Sequence, residues 1–502
     1  MAFGKVAVAP HAAVASEQPL ATLAGYDVLR AGGNAFDAAV ATSFSLAVTF
    51  HPAGGLGGDF FAMAYEAKAG KIHCLNSSGW SPSGLTLDLV RAKGGGQVPQ
   101  FGPLTCSIPA FVAGVHEMHR KLGRSEFKGL LSAPTDYALK GFPAGEGICR
   151  SVAGAYLELS PQARAVFAPS GSPPTPGEWI RQEELGKVLS SVAERGPDGF
   201  YSGPAADAIR SILESLGVPT DASDFTEFEP EWVSPLTLDY RGTKVYEHPP
   251  NSMGATSLLI LKLLSESEMP ASGALSSRRI ELTMEAALAA YGRRDEMLGD
   301  PRSGEIDMAG FMAGRASSEI PGSRIRSGDT TAFSVADAEG NIVSGIQSLF
   351  NHFGSRVFVP ECGVMLNNRG SGFRTSGPNA VAPRKRALNT LSSVILEKDA
   401  TPFLSIGTSG GDWRPMQHAL FVTNAVDYSM SADANVVHPR FLWGGGRSLI
   451  VEEGYELPEA GKFDINPQPH PGRTGVCQAI EVRARFRKAV CDVRGDGVPA
   501  GF

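Results

Sequence analysis

The 502-residue sequence has few charged residues and no run of basic ones. Charged residues make up 19% of the chain, and 45 Lys and Arg against 52 Asp and Glu give a formal net charge of −7. A protein that binds the phosphate backbone of nucleic acid needs a basic stripe, and the sequence has none. We therefore expect no nucleic acid among its partners.

Cysteine and long apolar runs are also scarce. The six cysteines occur singly, without the C-x-x-C pairs of zinc ribbons or thioredoxins. The most apolar windows, 38–50 and 258–264, are too short to span a bilayer. Residues 1–15 lack the apolar core of a secretory signal. We expect reduced cysteines, no membrane partner and a cytoplasmic protein, and no motif calls for a metal or a cofactor.

Glycine and proline are abundant, with 59 and 35 residues, so turns and close backbone contacts are expected. Apolar residues at helical spacing over 19–50 are interrupted by a Gly-Gly-Asn segment, in which Asn34 is a typical N-cap. This pattern predicts two packed helices. Two strand-like runs, 60–65 and 72–75, then predict a hairpin.

The character of the sequence changes at Thr330. Residues 110–320 mostly have helical spacing, with a strand pair at 236–246. After Thr330, short β-branched runs alternate with Gly, Asn and Asp turns, with a helix at 416–428 and strands within 475–493. This organisation predicts a mostly helical middle and a strand-rich last third.

Residues 328–349 consist of two strand-like runs around one polar turn. If the turn centres on Glu339, residues equidistant from it are cross-strand partners. Ser348 then lies opposite Thr330, with Cβ atoms about 4.5–5.5 Å apart. The two hydroxyl groups would face each other. Spacing alone equally fits an ordinary Thr–Ser pair of an antiparallel sheet, so a catalytic assignment needs further support.

A set of short segments along nearly the whole chain supplies that support. They are 28–41, 54–58, 109–114, 249–254, 298–301, 329–341, 366–368, 383–386, 409–411, 492–494 and 500–502. Together they resemble the γ-glutamyltranspeptidase family of N-terminal nucleophile hydrolases, and their order and spacing argue against a chance match. The resemblance implies an α+β fold, namely a four-layer αββα sandwich, that is made as one precursor.

The resemblance also implies that the precursor cuts itself between Asp329 and Thr330. Residues 1–329 and 330–502 would then be a large and a small subunit segment that form one intertwined domain. This heterodimer of its own fragments could dimerise further. The cut frees an α-amine on Thr330; such amines have a reference pKa of about 7.7–8.0, so this one can act as base for its own hydroxyl.

Three further residues match catalytic positions of the family. Ser348 corresponds to the second hydroxyl that contacts the nucleophile, in agreement with the hairpin spacing. Gly410 and Gly411 correspond to the glycine pair whose N–H groups form the oxyanion hole, where the missing side chain lets a carbonyl approach closely. A plain turn is the alternative for these two glycines.

Several positions depart from family members that act on γ-glutamyl groups. Ser78 stands where an arginine clamps the substrate α-carboxylate, and Gly372 replaces the acid that holds the substrate ammonium. The other departures are Asn389 and Thr390 for a serine pair, and Phe350, followed by Asn351, for an asparagine. A zwitterion needs opposite charges at two fixed points, so these changes argue against a γ-glutamyl pocket.

Other segments resemble the acylase-like and oxamate-amidohydrolase-like branch of the family. They are 57–59, 368–370, 410–412 and 415–418. We expect a small-molecule amide substrate, such as a dicarboxylic monoamide whose carboxylate meets Arg369 or Arg414. The other residues that we expect in the binding site are Ser78, Asn351, Asn389, Thr390 and Asp412. Each arginine could instead be a solvated surface residue or an internal salt-bridge partner.

Three functional hypotheses remain open. They are a self-processing amidohydrolase of non-glutamyl specificity, a true γ-glutamyltransferase or glutathione hydrolase, and a non-catalytic homologue used for binding. The charged residues 293–296 on a predicted helix could also suggest a catalytic acid–base pair. Clustered charges on a helix are usually a solvated face, which is what we expect here.

Overall fold

The computed structural model describes residues 4–326, 328–459 and 461–502. Its strands are β1 Lys5–Ala9, β2 Ala13–Ser16, β3 Asp59–Glu66, β4 Lys71–Ser77, β5 Phe142–Pro143, β6 Trp179–Ile180, β7 Glu231–Val233, β8 Leu236–Tyr240, β9 Thr243–Glu247, β10 Asp329–Ala336, β11 Ile342–Phe350, β12 Phe358–Val359, β13 Val364–Met365, β14 Ser393–Lys398, β15 Thr401–Thr408, β16 Phe441–Gly445, β17 Ser448–Glu452, β18 Asp464–Gln468, β19 Cys477–Arg483, β20 Phe486–Cys491 and β21 Ala500–Gly501.

Its α-helices are α1 Pro19–Arg30, α2 Ala35–Thr49, α3 Leu87–Lys93, α4 Phe111–Leu122, α5 Phe127–Leu130, α6 Ser132–Lys140, α7 Glu146–Ala155, α8 Pro161–Phe167, α9 Glu183–Arg195, α10 Asp198–Tyr201, α11 Pro204–Ser215, α12 Ser223–Thr226, α13 Gly254–Ser265, α14 Ser277–Met297, α15 Met308–Met312, α16 Arg414–Val426 and α17 Ala432–Val437. The fold is therefore α+β, as predicted. No helix of the described segments is long and apolar enough to cross a bilayer.

Two large antiparallel sheets organise the molecule. The first has the strand order β1-β20-β19-β15-β14-β9-β8, and the second has the order β21-β2-β10-β11-β3-β4-β7. Smaller sheets pair β16, β17 and β18, β12 with β13, and β5 with β6. Both large sheets contain strands from either side of Thr330, so the two halves of the sequence are built into each other.

The two sheets contact each other through β10 and β11 on one side and β14, β15 and β19 on the other. Small residues allow this approach, and Ser334 Oγ lies 2.9 Å from Ser405 Oγ across the gap. Helices α1, α2 and α4 pack on the second sheet, whereas α13, α16 and α17 pack on the first. The two largest hydrophobic clusters lie between helices and sheets, on these outer faces.

Local sequence signals account for several elements. The side chain of Asn34 caps α2 by accepting from the N–H groups of Phe36 and Asp37, and the Asp37 carboxylate accepts the N–H of Asn34. The predicted helix pair and the hairpin β3–β4 are therefore confirmed. The predicted strand pair is β8–β9, joined by Arg241 and Gly242 with φ of 52° and 79°, a turn that suits the twist of a hairpin.

The strand-rich last third and the mostly helical middle are also confirmed, and the predicted helix 416–428 begins and ends two residues earlier, as α16. All six cysteines are free and buried. Burial raises the pKa of the thiols at Cys106 and Cys362 to about 12, which fits their interpretation as reduced core residues.

Candidate active site

The hairpin β10–β11 has the predicted register and turn. Thr331 pairs with Gln347, and Ala336 pairs with Ile342. The register shifts between Asp329 and Thr331, and Asp329 pairs with Phe350. Thr330 therefore lies at a bulge, where a strand bends and its pairing is interrupted.

A chain of hydroxyl hydrogen bonds runs from Thr330 to the preceding carbonyl. Thr330 Oγ1 donates to Ser348 Oγ over 3.2 Å, and Ser348 Oγ donates to the carbonyl oxygen of Asp329 over 2.8 Å. The N–H of Phe350 also donates to Ser348 Oγ, over 2.7 Å. Both hydroxyl-bearing side chains are buried. Ser348 thus links the Thr330 hydroxyl to the Asp329 carbonyl by hydrogen bonds along which a proton can pass.

The glycine segment 54–58 lies directly behind this strand. A Cβ on Gly58 would be 2.5 Å from the carbonyl oxygen of Ser348, and one on Gly57 would be 2.1 Å from that of Met365. The N–H of Leu349 also donates to the carbonyl of Ala53 over 2.8 Å. These glycines are needed for close backbone packing that fixes the end of β11.

Gly410 and Gly411 lie beside the residues that precede Thr330. Their φ values are 136° and 59°, and a Cβ on Gly411 would be 2.3 Å from the nitrogen of Gly328. Among the described residues, no acceptor binds the N–H of either glycine. Two backbone donors without an acceptor, beside the segment that leads to Thr330, are the kind of group that can stabilise a developing oxyanion.

Arg326 fixes the chain just before the hydroxyl pair. Its N–H and Nε donate to Asp412 Oδ2 over 2.9 and 3.2 Å, and its carbonyl accepts the N–H of Asp412 over 3.0 Å. Its Nη1 donates to the carbonyl of Ser371 over 2.6 Å. The guanidinium also lies 5.1 Å from the ring centroid of Phe350. Asp412, a predicted binding residue, is occupied here by the chain itself.

Arg369 is an internal ion-pair partner and not a surface residue. Its Nε donates to Asp59 Oδ2 over 2.7 Å, its Nη1 donates to Thr390 Oγ1 over 3.1 Å, and its guanidinium lies 4.8 Å from the Phe350 ring centroid. Within the described residues, its Nη2 has no hydrogen-bond partner. Burial lowers the pKa of Arg369, and the Asp59 carboxylate acts in the opposite direction. A buried donor without an acceptor can take an anionic oxygen.

Asn389 and Ser78 belong to the same hydrogen-bond network. Asn389 Nδ2 donates to Asp59 Oδ2 over 3.1 Å and to Ser78 Oγ over 2.9 Å. Asn251 Nδ2 also donates to Ser78 Oγ, over 3.1 Å. The structure therefore brings the predicted residues Ser78, Asn389, Thr390 and Arg369 together around Asp59. In the sequence, Asp59 is notable only as part of segment 57–59, which resembles the acylase-like and oxamate-amidohydrolase-like branch.

Arg414 and Asn351 make contacts within the protein scaffold. Arg414 Nε and Nη2 donate to the carbonyl of Thr408 over 3.0 and 2.9 Å, and its Nη1 donates to the carbonyl of Thr390. Burial and then the Arg369 charge lower the pKa of Arg414. The amide groups of Asn351 and Asn368 are 2.8 Å apart. Arg414 thus ties the end of β15, next to the glycine pair, to Thr390.

The expectation of a solvated face at 293–296 is wrong for two of its residues. Only 3% of the Arg294 side chain and 11% of the Asp295 side chain are exposed, and Arg294 lies 3.6 Å from Asp412 and 2.8 Å from Asp295. Burial lowers the pKa of Arg294, but the two carboxylates outweigh it and raise the pKa overall. These residues are buried because α14 packs towards Asp412, a contact between distant parts of the sequence.

A cavity of about 500 Å³ adjoins this region. Its lining includes Arg326, Ser371, Gly372, Asn379 and Leu388. The chain before Thr330 therefore forms part of the wall. Within the residues described by the structure, no three His, Cys, Asp or Glu side chains are grouped to hold a metal ion.

Comparison with known proteins shows that the chain belongs to a family of enzymes that includes hydrolases and acylases. The model of the family described as Gamma-glutamyltranspeptidase matches residues 21–502, so the chain belongs to the γ-glutamyltranspeptidase family. The Glutathione hydrolase-like YwrD proenzyme of Bacillus subtilis (strain 168) is 33% identical over 97% of this chain and 98% of that protein.

Two further relatives illustrate the range of the family. The Oxamate amidohydrolase proenzyme of Klebsiella pneumoniae is 28% identical over 90% of this chain and 88% of that protein. The crystal structure of cephalosporin acylase from Bacillus halodurans superimposes with a TM-score of 0.91 at 28% identity, covering 100% of this chain and 98% of that one. The predicted family and its acylase-like and amidohydrolase-like relatives are thereby confirmed.

Proposed function

We propose that this protein is a self-processing amidohydrolase that uses Thr330 as an N-terminal nucleophile. The observation that carries the proposal is the hydroxyl pair at the Asp329 carbonyl, with Thr330 Oγ1 3.2 Å from Ser348 Oγ and Ser348 Oγ 2.8 Å from the carbonyl oxygen. These contacts support the proposal, because they give the Thr330 hydroxyl a proton acceptor beside the carbonyl of the preceding peptide bond.

Self-cleavage would begin when Thr330 Oγ1 attacks the carbonyl carbon of Asp329. The hydroxyl proton leaves through Ser348 Oγ, the bond from carbon to the Thr330 nitrogen breaks, and that nitrogen gains the proton. The resulting ester joins Asp329 to Thr330 Oγ1. Water hydrolyses it to an Asp329 carboxylate and a Thr330 that carries both its hydroxyl and a free α-amine.

The cut protein would then hydrolyse its substrate through the same oxygen. The Thr330 amine accepts the hydroxyl proton while Oγ1 attacks the substrate amide carbon, and the N–H groups of Gly410 and Gly411 stabilise the oxyanion. The leaving amine departs with a proton, which leaves an acyl ester on Thr330. Water releases the acid and restores the free threonine.

The substrate we propose is a small amide whose acyl part carries a carboxylate. Arg369 supports this, because its Nη2 is buried and has no partner in the described part of the chain. Gly372 and Ser78 supply neither of the charges that a γ-glutamyl group needs at those positions. The acyl carboxylate would complete the hydrogen bonding of Arg369.

A true γ-glutamyltransferase or glutathione hydrolase is the second candidate, and Asp412 favours it. This carboxylate binds the backbone N–H and guanidinium of Arg326, so after the cut it could hold a substrate ammonium. Relatives named Glutathione hydrolase proenzyme support the same candidate; one from Bacillus subtilis (strain 168) is 29% identical over 100% of this chain.

We further propose that the sheet and helix contacts form the four-layer αββα sandwich of N-terminal nucleophile hydrolases, and that segments 1–329 and 330–502 remain one heterodimer after the cut. Each large sheet contains strands from both segments, so separating the pieces would break the hydrogen-bond ladders of both sheets.

The first experiment tests the nucleophile with two neighbouring threonines. Purified wild type should give two bands on a denaturing gel, and Thr330→Ala should remain one chain of 52.8 kDa. Thr331→Ala is the matched control and should still be cut. A well-folded wild type that is never cut would favour the non-catalytic binding homologue.

The second experiment tests the substrate class on the cut protein. Ammonia release from dicarboxylic monoamides is compared with the release of aniline from γ-glutamyl anilides, with uncut Thr330→Ala as the blank. The proposal expects turnover of the monoamides. Turnover of the anilides alone would select the second candidate.

A further inference from the structure

Asp329, the residue before Thr330, is held through its side chain as well as its backbone. The N–H of His352 donates to Asp329 Oδ2 over 3.3 Å, and His352 Nε2 lies 3.4 Å from Asp329 Oδ1. The side chains of Asp329 and His352 are 45% and 31% exposed, so the pair lies partly in contact with solvent. Neither the cleavage step nor the hydrolysis step above uses this contact.

The loop that carries His352 is tightly shaped. Phe350, Phe353 and Arg356 have φ values of 82°, 56° and 68°, a left-handed conformation that is costly for residues other than glycine. The carbonyl of His352 accepts from Arg356 Nη1, and the N–H of Phe353 donates to the carbonyl of Pro52 over 2.7 Å. The imidazole is therefore presented from a fixed backbone.

The contact lies where the strand pairing is weakest. Because the register shifts between Asp329 and Thr331, the ladder alone does not fix the peptide that must be cut. A carboxylate held at both oxygens restricts rotation of the Asp329 residue, and the carbonyl of that residue must stay close to Ser348 Oγ. Restricting a reactant to its reactive geometry accelerates an intramolecular attack.

We infer that His352 is a positioning residue for self-cleavage, which holds the Asp329 carbonyl against Ser348 by binding the Asp329 carboxylate. This inference rests on the proposed function, since it concerns the same bond. His352 has no part in substrate hydrolysis. After the cut, Asp329 is the end of the large fragment, and its contact with His352 no longer holds a peptide bond that reacts. The atoms that move are those of the cleavage step alone, with water as the only co-reactant.

The test is a time course of cutting in freshly translated protein, followed on a denaturing gel. His352→Ala should slow the appearance of the two fragments about tenfold, the effect of losing one polar contact with a charged group. His352→Gln, which keeps a donor near the Nε2 position, should restore most of the rate. His11→Ala, at an exposed histidine far from the cut, is the control and should be cut at the wild-type rate.

Two further measurements separate positioning from a general structural effect. Asp329→Ala also loses the contact with the His352 backbone N–H, so it should be at least as slow as His352→Ala, and the double variant should be no slower than Asp329→Ala, because no further contact is then lost. Once fully cut, His352→Ala should turn over substrate at the wild-type rate per cut chain. A merely structural histidine would lower turnover as well, and Gln would not rescue it.

Cutting of His352→Ala at the wild-type rate would overturn the inference, as would a double variant that is slower than both single ones. Failure of the proposed function gives a different result, because wild type itself would then stay uncut. A slow His352→Ala whose thermal melting matches wild type supports positioning; slow cutting with lowered melting and no rescue by Gln would also overturn it.

Discussion

The two sides of the Asp329–Thr330 bond lie in different environments. Downstream, β10 is buried from Thr330 to Ala336 and pairs with β2 on one edge and β11 on the other. Upstream, the described residues between α15 and β10 belong to no helix or strand, and Arg326 anchors them through its backbone and its side chain. Cutting this bond would leave the nucleophile strand intact and release only the weakly held side.

This contrast separates residues by what they should affect. Downstream residues of the site should matter both for the cut and for turnover, because they remain in place afterwards. Upstream residues and their clamps should matter for the cut alone.

The largest effect is expected at Ser348. Ser348→Ala removes the hydroxyl through which the Thr330 proton leaves during cutting and which orients Thr330 Oγ1 in both steps, so both cutting and turnover should fall about 10²–10³-fold. Gel time courses and amide hydrolysis measure the two rates. Ser344→Ala, on the same strand, is the control, since Ser344 Oγ donates to the carbonyl of Ile406 instead. A variant impaired in only one of the two rates would break the comparison.

Arg369→Lys should be next in size. Lysine keeps the charge but cannot bind Asp59, Thr390 and a substrate carboxylate at once, so kcat/KM for a carboxylate-bearing amide should fall about 10–100-fold. An amide with an uncharged acyl group should be much less affected. Arg374→Lys, at an exposed arginine of the same loop, is the control. Equal losses for both amides would contradict the binding role of Arg369.

Arg326→Ala tests the upstream side. It removes the guanidinium contacts with Asp412 and Ser371, so cutting should slow about tenfold. Turnover of the protein, once cut, should not change. Arg324→Ala, at an exposed arginine of the same segment, is the control. A lasting loss of turnover in fully cut Arg326→Ala would show that the upstream side stays in the active site.

The smallest effect concerns Glu17, which is buried after β2, the strand that pairs with β10. Burial raises the pKa of Glu17, and the charges of Asp329, Asp492 and Asp496 add to this. A raised carboxyl pKa contributes stability at low pH that is lost as the pH rises, since the unfolded chain then holds fewer protons than the folded one.

Glu17→Gln should remove this pH dependence. Relative to the wild type, its melting temperature should rise by about 1–3 °C as the pH increases from 5 to 8. Differential scanning fluorimetry measures both melting temperatures, with and without Glu17→Gln, in protein that also carries Thr330→Ala and therefore stays uncut. Glu305→Gln, at an exposed site, should show no such trend. A difference in melting temperature between the two proteins that does not change with pH would contradict a raised pKa of Glu17.

Much of the site could be predicted from the sequence because it depends on local alternation. The polar turn around Glu339 and the period of two place Thr330 near Ser348, and the structure has that register from Thr331 onwards. The bulge at Thr330 could not be predicted, because the alternation of residues on the two strands does not mark it, and the glycine segment that packs against the end of β11 comes from a distant part of the sequence. The helix pair at Asn34 was predictable for the same reason, since its cap is formed by neighbouring residues.

The partners of the charged residues could not be predicted, because they come from distant parts of the chain. Arg369 meets Asp59, Arg294 meets Asp412, and Arg414 meets the carbonyl of Thr408 through folding and not through spacing. A charged residue type indicates a site in the sequence, but burial decides whether it binds a ligand or the scaffold. Within the described segments, Arg369 Nη2 has no hydrogen-bond partner, whereas each guanidinium nitrogen of Arg414 binds a backbone carbonyl.

The most direct measurement is the N-terminal sequence of the small fragment in purified wild-type protein that hydrolyses an amide. We expect the small fragment to begin Thr330-Thr331-Ala332 and to be present in the same amount as the large fragment. Full activity in protein that remains a single 52.8 kDa chain would contradict it.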